Sequence, residues 1–117
     1  MILLRHLAFA AAVSVAILAQ PARADLVIEG RAAQALHCAA MLFMVSSMLN
    51  DAGMIDDRTA HNAKRGAVRM LGYVPGTLDQ KTKAMGQRFE KLMQTRTIEQ
   101  LFKEYQSTSR WCETHFD

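Results

Sequence analysis

Two cysteines, Cys38 and Cys112, constrain the fold of this 117-residue chain more than any other feature. They are its only cysteines, and neither belongs to a C-x-x-C motif. In an oxidising compartment, an even number of such cysteines favours a structural disulfide. A bridge between them would enclose residues 39–111, and in the chain-entropy account a loop of that length stabilises a fold by about 4 kcal/mol. Two free thiols with a redox or metal-binding role are the alternative.

The first residues indicate whether the cysteines meet an oxidising compartment. A short basic region at Arg5 is followed by an apolar run over residues 7–19 and by an A-x-A site at residues 22–24. This order is typical of a cleavable secretory signal, and the apolar run is short for a membrane span. We therefore predict a signal peptide over residues 1–24 and a periplasmic or secreted helical domain over residues 25–117. An uncleaved membrane anchor is the alternative.

The charge of the predicted mature chain gives no reason to expect a nucleic-acid partner. The full chain has 14 Lys or Arg residues and 11 Asp or Glu residues. Because Arg5 and Arg23 leave with the predicted signal, twelve basic residues then face eleven acidic ones, and the net charge is +1. The basic isoelectric point of the full chain arises partly from the discarded segment, so no nucleic-acid binding is expected.

Hydrophobic periodicity and capping residues predict four helices and no strands. The first spans residues 30–50 and is apolar nearly all round, and the second follows Asp56-Asp57 and ends near Gly72. The third and fourth begin at Thr77 and Thr97, each followed by glutamine at capping-box spacing. Their apolar stripes include Leu78, Met85, Phe89, Leu92 and Met93 in the third helix and Ile98, Leu101, Phe102 and Tyr105 in the fourth. Because the connections are short, we predict an all-α, up-down four-helix bundle.

The predicted topology and the predicted disulfide agree. In an up-down-up-down bundle, the start of the first helix and the end of the fourth lie at the same end of the molecule. Cys38 is close to the first of these points and Cys112 is close to the second. The two sulfur atoms can therefore meet without crossing the domain, and we predict that one disulfide staples the bundle.

The apolar segment of the first helix is near the lower length limit for a membrane span. It runs from Ala32 to Leu49 and contains Gln34, His37 and two serines. The three amphipathic helices that follow each offer an apolar stripe that needs a central partner. We therefore predict a buried core helix and no stable membrane span after signal cleavage.

Possible metal ligands occur in the sequence, but no metal site or cofactor is expected. Met41, Met44 and Met48 have the spacing of one helix face, and thioethers bind Cu(I). Methionine also fills irregular gaps in helical cores, and we predict that role here. His37 and His115 lie close in sequence to the two cysteines, but a cysteine in a disulfide is not a thiolate ligand.

No motif of an enzyme active site occurs in the chain. Ser46 and Ser47 lie in the apolar helix without a G-x-S-x-G context, and there is neither a phosphate-binding glycine loop nor an H-E-x-x-H motif. We expect both serine hydroxyls to hydrogen-bond to helix carbonyls. The protein is predicted not to be an enzyme.

The most distinctive exposed feature in the predicted bundle is a basic face on the second helix. It consists of Arg58, His61, Arg65 and Arg69. Such a charge run is often only a solvated surface, but it also suits an anionic partner. We predict a non-enzymatic binding or accessory module of the cell envelope, whose partner is another envelope protein or an anionic surface. A carrier for an apolar ligand or Cu(I), using the methionine face, is the alternative function.

Trp111 is the only tryptophan and precedes Cys112 directly. An indole at this position is expected to cover the predicted disulfide. An exposed aromatic anchor for a partner is the alternative, because tryptophan is enriched at binding interfaces.

Overall fold

The computed structural model describes residues 28–116. Four helices lie within this range: α1, Gly30–Asp51; α2, Asp57–Leu71; α3, Leu78–Thr95; and α4, Ile98–His115. No strand occurs among these residues. The prediction of an all-α four-helix bundle with one disulfide is confirmed. The predicted signal peptide, residues 1–24, lies outside the described residues.

Helix α1 occupies the centre of the bundle, and every extensive contact between described helices involves it. Its fully buried positions are Ala35, Cys38, Ala39, Ala40, Met41, Leu42, Val45, Ser46 and Leu49. By length and composition α1 is the one described helix that could cross a membrane, but core helices meet the same criterion and half of its apolar stretch is buried inside the protein. The packing agrees with the prediction of a core helix.

The middle of α1 is wider than an α-helix. Met41–Val45 is π-helical, and the Ser46 amide donates to the Met41 carbonyl five residues earlier. The Leu42 carbonyl would accept that amide in a regular α-helix, and it accepts the Ser46 hydroxyl instead. Ser47 also donates its hydroxyl to a carbonyl four residues earlier, at 2.8 Å. The predicted back-bonding of both serines is confirmed, and it satisfies hydroxyl groups that an apolar helix could not otherwise pair.

Helix α2 packs on α1 through small side chains. Its buried positions are Ala60, Ala63, Gly66, Ala67 and Met70. A Cβ atom at Gly66 would lie 3.5 Å from Cδ1 of Leu42 in α1, so the Leu42 side chain packs against the α2 backbone at this point. Asp56 caps the helix by accepting a 2.7 Å hydrogen bond from the Thr59 amide. The small-residue face therefore fixes which side of α2 is turned to solvent.

Glycine and capping boxes set the remaining helix ends. Gly53 has a φ of 73° and its amide donates to the Asn50 carbonyl, which ends α1 in the left-handed conformation that glycine adopts without strain. Thr77 and Thr97 each accept from the amide of the glutamine three residues later, at 3.2 Å, and that glutamine side chain accepts from the threonine amide. Both predicted capping boxes are confirmed.

The disulfide joins the third turn of α1 to the last turn of α4. Cys38 and Cys112 have Cα atoms 5.8 Å apart, and both side chains are buried. This bond confirms that the start of the first helix and the end of the fourth lie together, as the up-down topology requires. It is also compatible with an oxidising compartment.

An arginine-centred cluster closes the same end of the bundle. Arg31 at the start of α1 donates to the His115 carbonyl at the end of α4, at 2.7 Å. Its guanidinium carbon lies 4.3 Å from the ring centroid of the buried Phe116 and 5.4 Å from that of Tyr73. The two rings meet edge to face with centroids 4.9 Å apart. The cluster therefore ties the segment after α2 to both disulfide-linked helices.

Removing the disulfide should destabilise the bundle without changing its topology. The double substitution Cys38→Ala and Cys112→Ala is expected to lower the free energy of unfolding by about 2–4 kcal/mol, because the bond closes a long loop in the unfolded chain. Urea denaturation followed by circular dichroism measures the loss. Reductant should lower the wild-type midpoint and leave that of the double variant unchanged. A wild-type midpoint that ignores reductant would contradict the prediction.

Candidate functional site

The structure places the four residues of the predicted basic face on the solvent side of α2. Arg58, His61, Arg65 and Arg69 are all exposed. At 3.6 residues per turn, the three arginines point within about 40° of one another, and His61 lies beside them. The buried small residues lie on the other side of the helix, so packing against α1 holds this face outward.

The arginines of the basic face form no ion pair in the described part of the chain. Within residues 28–116 the only ion pair joins Arg96 and Glu104, with Nε and Oε1 2.6 Å apart. Asp56 lies at the N-terminus of α2, where hydrogen bonds from Thr59 hold the pKa of its carboxyl below the usual value, with a smaller contribution from the charge of Arg58. The positive charge of the basic face is therefore left for solvent or for a partner.

The three methionines of α1 do not form one continuous surface. Met41 is fully buried in the core, and Met44 and Met48 are partly buried against it. The π-helical segment begins at Met41, so regular α-helical spacing does not connect Met41 with Met44. Among the described residues, no cluster of three or more His, Cys, Asp or Glu side chains is arranged to hold a metal ion.

A groove of about 380 Å³ lies beside the disulfide, between α1, α3 and α4. Its walls come from Ala33, Gln34 and His37 of α1, Arg88 of α3, and Thr108 and Trp111 of α4. Most of this lining is apolar, and the few polar groups belong to three different helices. Ligand sites in proteins commonly have this size and this combination of apolar walls with a few polar groups.

One side of the groove carries a hydrogen-bonded Arg–His pair. Nε of Arg88 donates to Nδ1 of His37 at 3.2 Å, so His37 carries its proton on Nε2 in this arrangement. Burial lowers the pKa of His37, the charges of Arg88 and Arg96 lower it further, and Glu104 opposes the shift. The lowered pKa favours the neutral form of His37, and the permanent positive charge of the groove resides on Arg88.

Another part of the groove lining is aromatic. Trp111 stacks on the imidazole of His115 with ring centroids 4.1 Å apart and an interplanar angle of 15°. Nδ1 of His115 lies 2.8 Å from the Trp111 carbonyl oxygen, which fixes the imidazole against the indole. Trp111 still has 38 % of its surface exposed. The indole therefore lines the groove, held by its stack on His115 and still accessible to a ligand.

Sequence reasoning did not identify this groove, because its key residues have no local pattern. Arg88, Gln34 and Thr108 lie on separate helices, and none belongs to a recognisable motif. One signal was present: His37 adjoins Cys38, and Trp111 adjoins Cys112. A disulfide between these cysteines necessarily brings the histidine and the tryptophan to the same region.

Comparison of the chain with protein-family models, curated proteins and solved structures gave no match. Functional inference therefore relies on the two surfaces described above, the basic face of α2 and the groove beside the disulfide.

The folded protein should lose stability as the pH falls below about 6.5, because His37 is harder to protonate in the fold than in the unfolded chain. The contribution of neutral His37 to the free energy of unfolding is complete above pH 6.5. It is lost as the pH falls from that value through the lowered pKa of the folded state. Melting temperatures measured from pH 7.5 to 5 should decline for the wild type and decline less for His37→Gln. The control His61→Gln, on the exposed side of α2, should retain the wild-type slope. Identical slopes for the wild type and His37→Gln would refute this assignment.

Proposed function

We propose that this chain is an exported, non-enzymatic helical module that binds another envelope protein or an anionic surface through the basic face of α2. The observation that carries the proposal is the exposed row formed by Arg58, Arg65 and Arg69, which form no ion pair among residues 28–116. A guanidinium group offers a planar set of donors that matches carboxylate and phosphate oxygens. An unpaired row of such groups is suited to an acidic counterpart.

The spacing of the row defines the partner more closely. An α-helix rises 1.5 Å per residue, so Arg58 and Arg65 are separated by about 10 Å along the axis, and Arg65 and Arg69 by about 6 Å. A complementary surface presents anionic groups at similar intervals along a line of about 16 Å. Because the opposite side of α2 is packed on α1 through alanine and glycine, the row is held on a rigid support.

Export is part of the proposal and has two supports. The disulfide between Cys38 and Cys112 is of the kind that persists in oxidising compartments. Residues 1–24 have the order of regions found in secretory signals. These two features together support the proposed periplasmic or secreted location.

The proposal does not extend to a carrier that uses the methionines of α1. Met41 is enclosed in the core, and Met44 and Met48 pack against it. A Cu(I) ion or an apolar ligand on this face would need the core to open. The basic face needs no such rearrangement to meet a partner.

Replacing the three arginines of the row by alanine should abolish partner binding and preserve the fold. All three side chains are exposed, and surface substitutions of this kind usually change stability by about 0.5 kcal/mol or less each. The matched control replaces the exposed Lys83, Lys91 and Lys103 by alanine, which removes the same charge from α3 and α4. Binding is measured by capture from an envelope fraction and by co-sedimentation with vesicles containing phosphatidylglycerol.

The expected result is a loss of binding confined to the arginine variant. Raising the ionic strength should weaken wild-type binding, because salt screens interactions between exposed charges. Capture by an envelope protein without vesicle binding identifies a protein partner, and the reverse identifies a lipid surface. Equal binding by the wild type and both variants would exclude the basic face as the contact surface.

A further inference from the structure

We propose that the groove beside the disulfide binds a small aromatic carboxylate, with the carboxylate on the guanidinium of Arg88 and the ring against Trp111. This site is distinct from the basic face of α2, because its lining comes from α1, α3 and α4. Three features of the groove select this ligand chemistry: a guanidinium group with two unpaired terminal nitrogens, an accessible indole, and a limited volume.

The guanidinium of Arg88 is arranged to bind an anion. Nε of Arg88 is engaged by His37, and within residues 28–116 the two terminal nitrogens of Arg88 have no hydrogen-bond partner. These nitrogens form the end of the guanidinium fork that binds both oxygens of a carboxylate. The bond to His37 restricts the orientation of the fork before a ligand arrives, which lowers the entropy lost on binding.

No acidic residue among residues 28–116 pairs with Arg88. Glu104 acts electrostatically on the neighbouring His37, but its carboxylate is paired with Arg96 at 2.6 Å. The charge of Arg88 is therefore uncompensated at the edge of a largely apolar groove. An anionic group on a ligand supplies the missing complement, whereas a cationic ligand would meet repulsion.

Trp111 is the contact surface for the ring of the ligand. Trp111 is held by its stack on His115, and it leaves 38 % of its surface open. Ala33 and Cys38 add apolar surface to the lining of the same groove. Aromatic rings pack favourably against an indole in stacked or edge-to-face geometry. A flat ring therefore fits this wall better than a polar group.

The volume limits the ligand to a small molecule. A groove of about 380 Å³ corresponds to roughly a dozen water molecules at their volume of about 30 Å³ in the liquid. This space accommodates one ring, a short linker and a carboxylate. It does not accommodate the face of a folded partner, which distinguishes the groove from the flat surface proposed on α2.

Titration with 4-phenylbutyrate tests the proposal, and its neutral amide, 4-phenylbutyramide, is the matched control ligand. The full-length chain is expressed, and the protein is purified with its disulfide intact. Because Trp111 is the only tryptophan, its indole N–H gives a single assigned signal in a proton–nitrogen NMR spectrum. Phenylbutyrate should shift this signal saturably with a dissociation constant that is roughly millimolar or tighter. The amide should bind about tenfold more weakly, since it cannot form the charge-assisted pair.

Three variants separate the contributions. Arg88→Gln should weaken phenylbutyrate binding about tenfold and leave amide binding unchanged. Lys83→Gln removes the same charge from α3 outside the groove and should leave the affinities for both ligands unchanged. Ala33→Leu should weaken the binding of both ligands, because the larger side chain fills the groove without altering its charge. Melting curves confirm that each variant is folded.

Each contrary result overturns a defined part of the proposal. A Trp111 signal that does not shift up to about 10 mM phenylbutyrate would refute ligand binding in the groove. Equal affinities for the acid and the amide would refute recognition of the carboxylate, and undiminished binding to Arg88→Gln would refute the role of Arg88. The alanine variant of the α2 arginines should bind phenylbutyrate as the wild type does, so the two proposals succeed or fail separately.

Discussion

The burial of α1 on several sides is the constraint on which the rest of the structure depends. A helix that is apolar nearly all round needs partners in most directions, and α2, α3 and α4 supply them without extensive contacts among themselves. Each outer helix therefore depends on α1 for its position. The disulfide reinforces this arrangement because it links α1 covalently to the helix most distant from it in sequence. In a domain this small, such a crosslink is comparable with the whole margin of stability.

The same crosslink places functional groups as well as helices. His37 and Trp111 are neighbours of the two cysteines in sequence, so the bond brings an imidazole and an indole into the lining of one groove. The cluster around Arg31 then closes the adjoining end of the bundle through Phe116. One covalent bond therefore joins the two helices and brings together residues that line the groove.

Sequence reasoning recovered the elements whose causes are local. The capping boxes at Thr77 and Thr97 act over a few residues, and the single pair of cysteines allows one pairing only. Features that depend on neighbouring helices were missed. Leu78, Met93 and Ile98 were expected on buried stripes and are 71 %, 45 % and 42 % exposed, since helical periodicity gives the direction of a side chain but not the extent of the helix that covers it. The groove was missed for the same reason, because Arg88 meets His37 only in the assembled bundle.

The distribution of arginines links the two proposed binding surfaces. Arg96 is paired with Glu104, whereas Arg88 and the three arginines of α2 have no carboxylate partner within residues 28–116. An exposed ion pair contributes at most about 1 kcal/mol to stability, so leaving these groups unpaired costs the fold little. Recognition of an anion depends strongly on such groups, because a guanidinium already neutralised by a neighbour offers less to a ligand. Stability in this protein comes from the core and the disulfide, which leaves the surface charges free to serve binding.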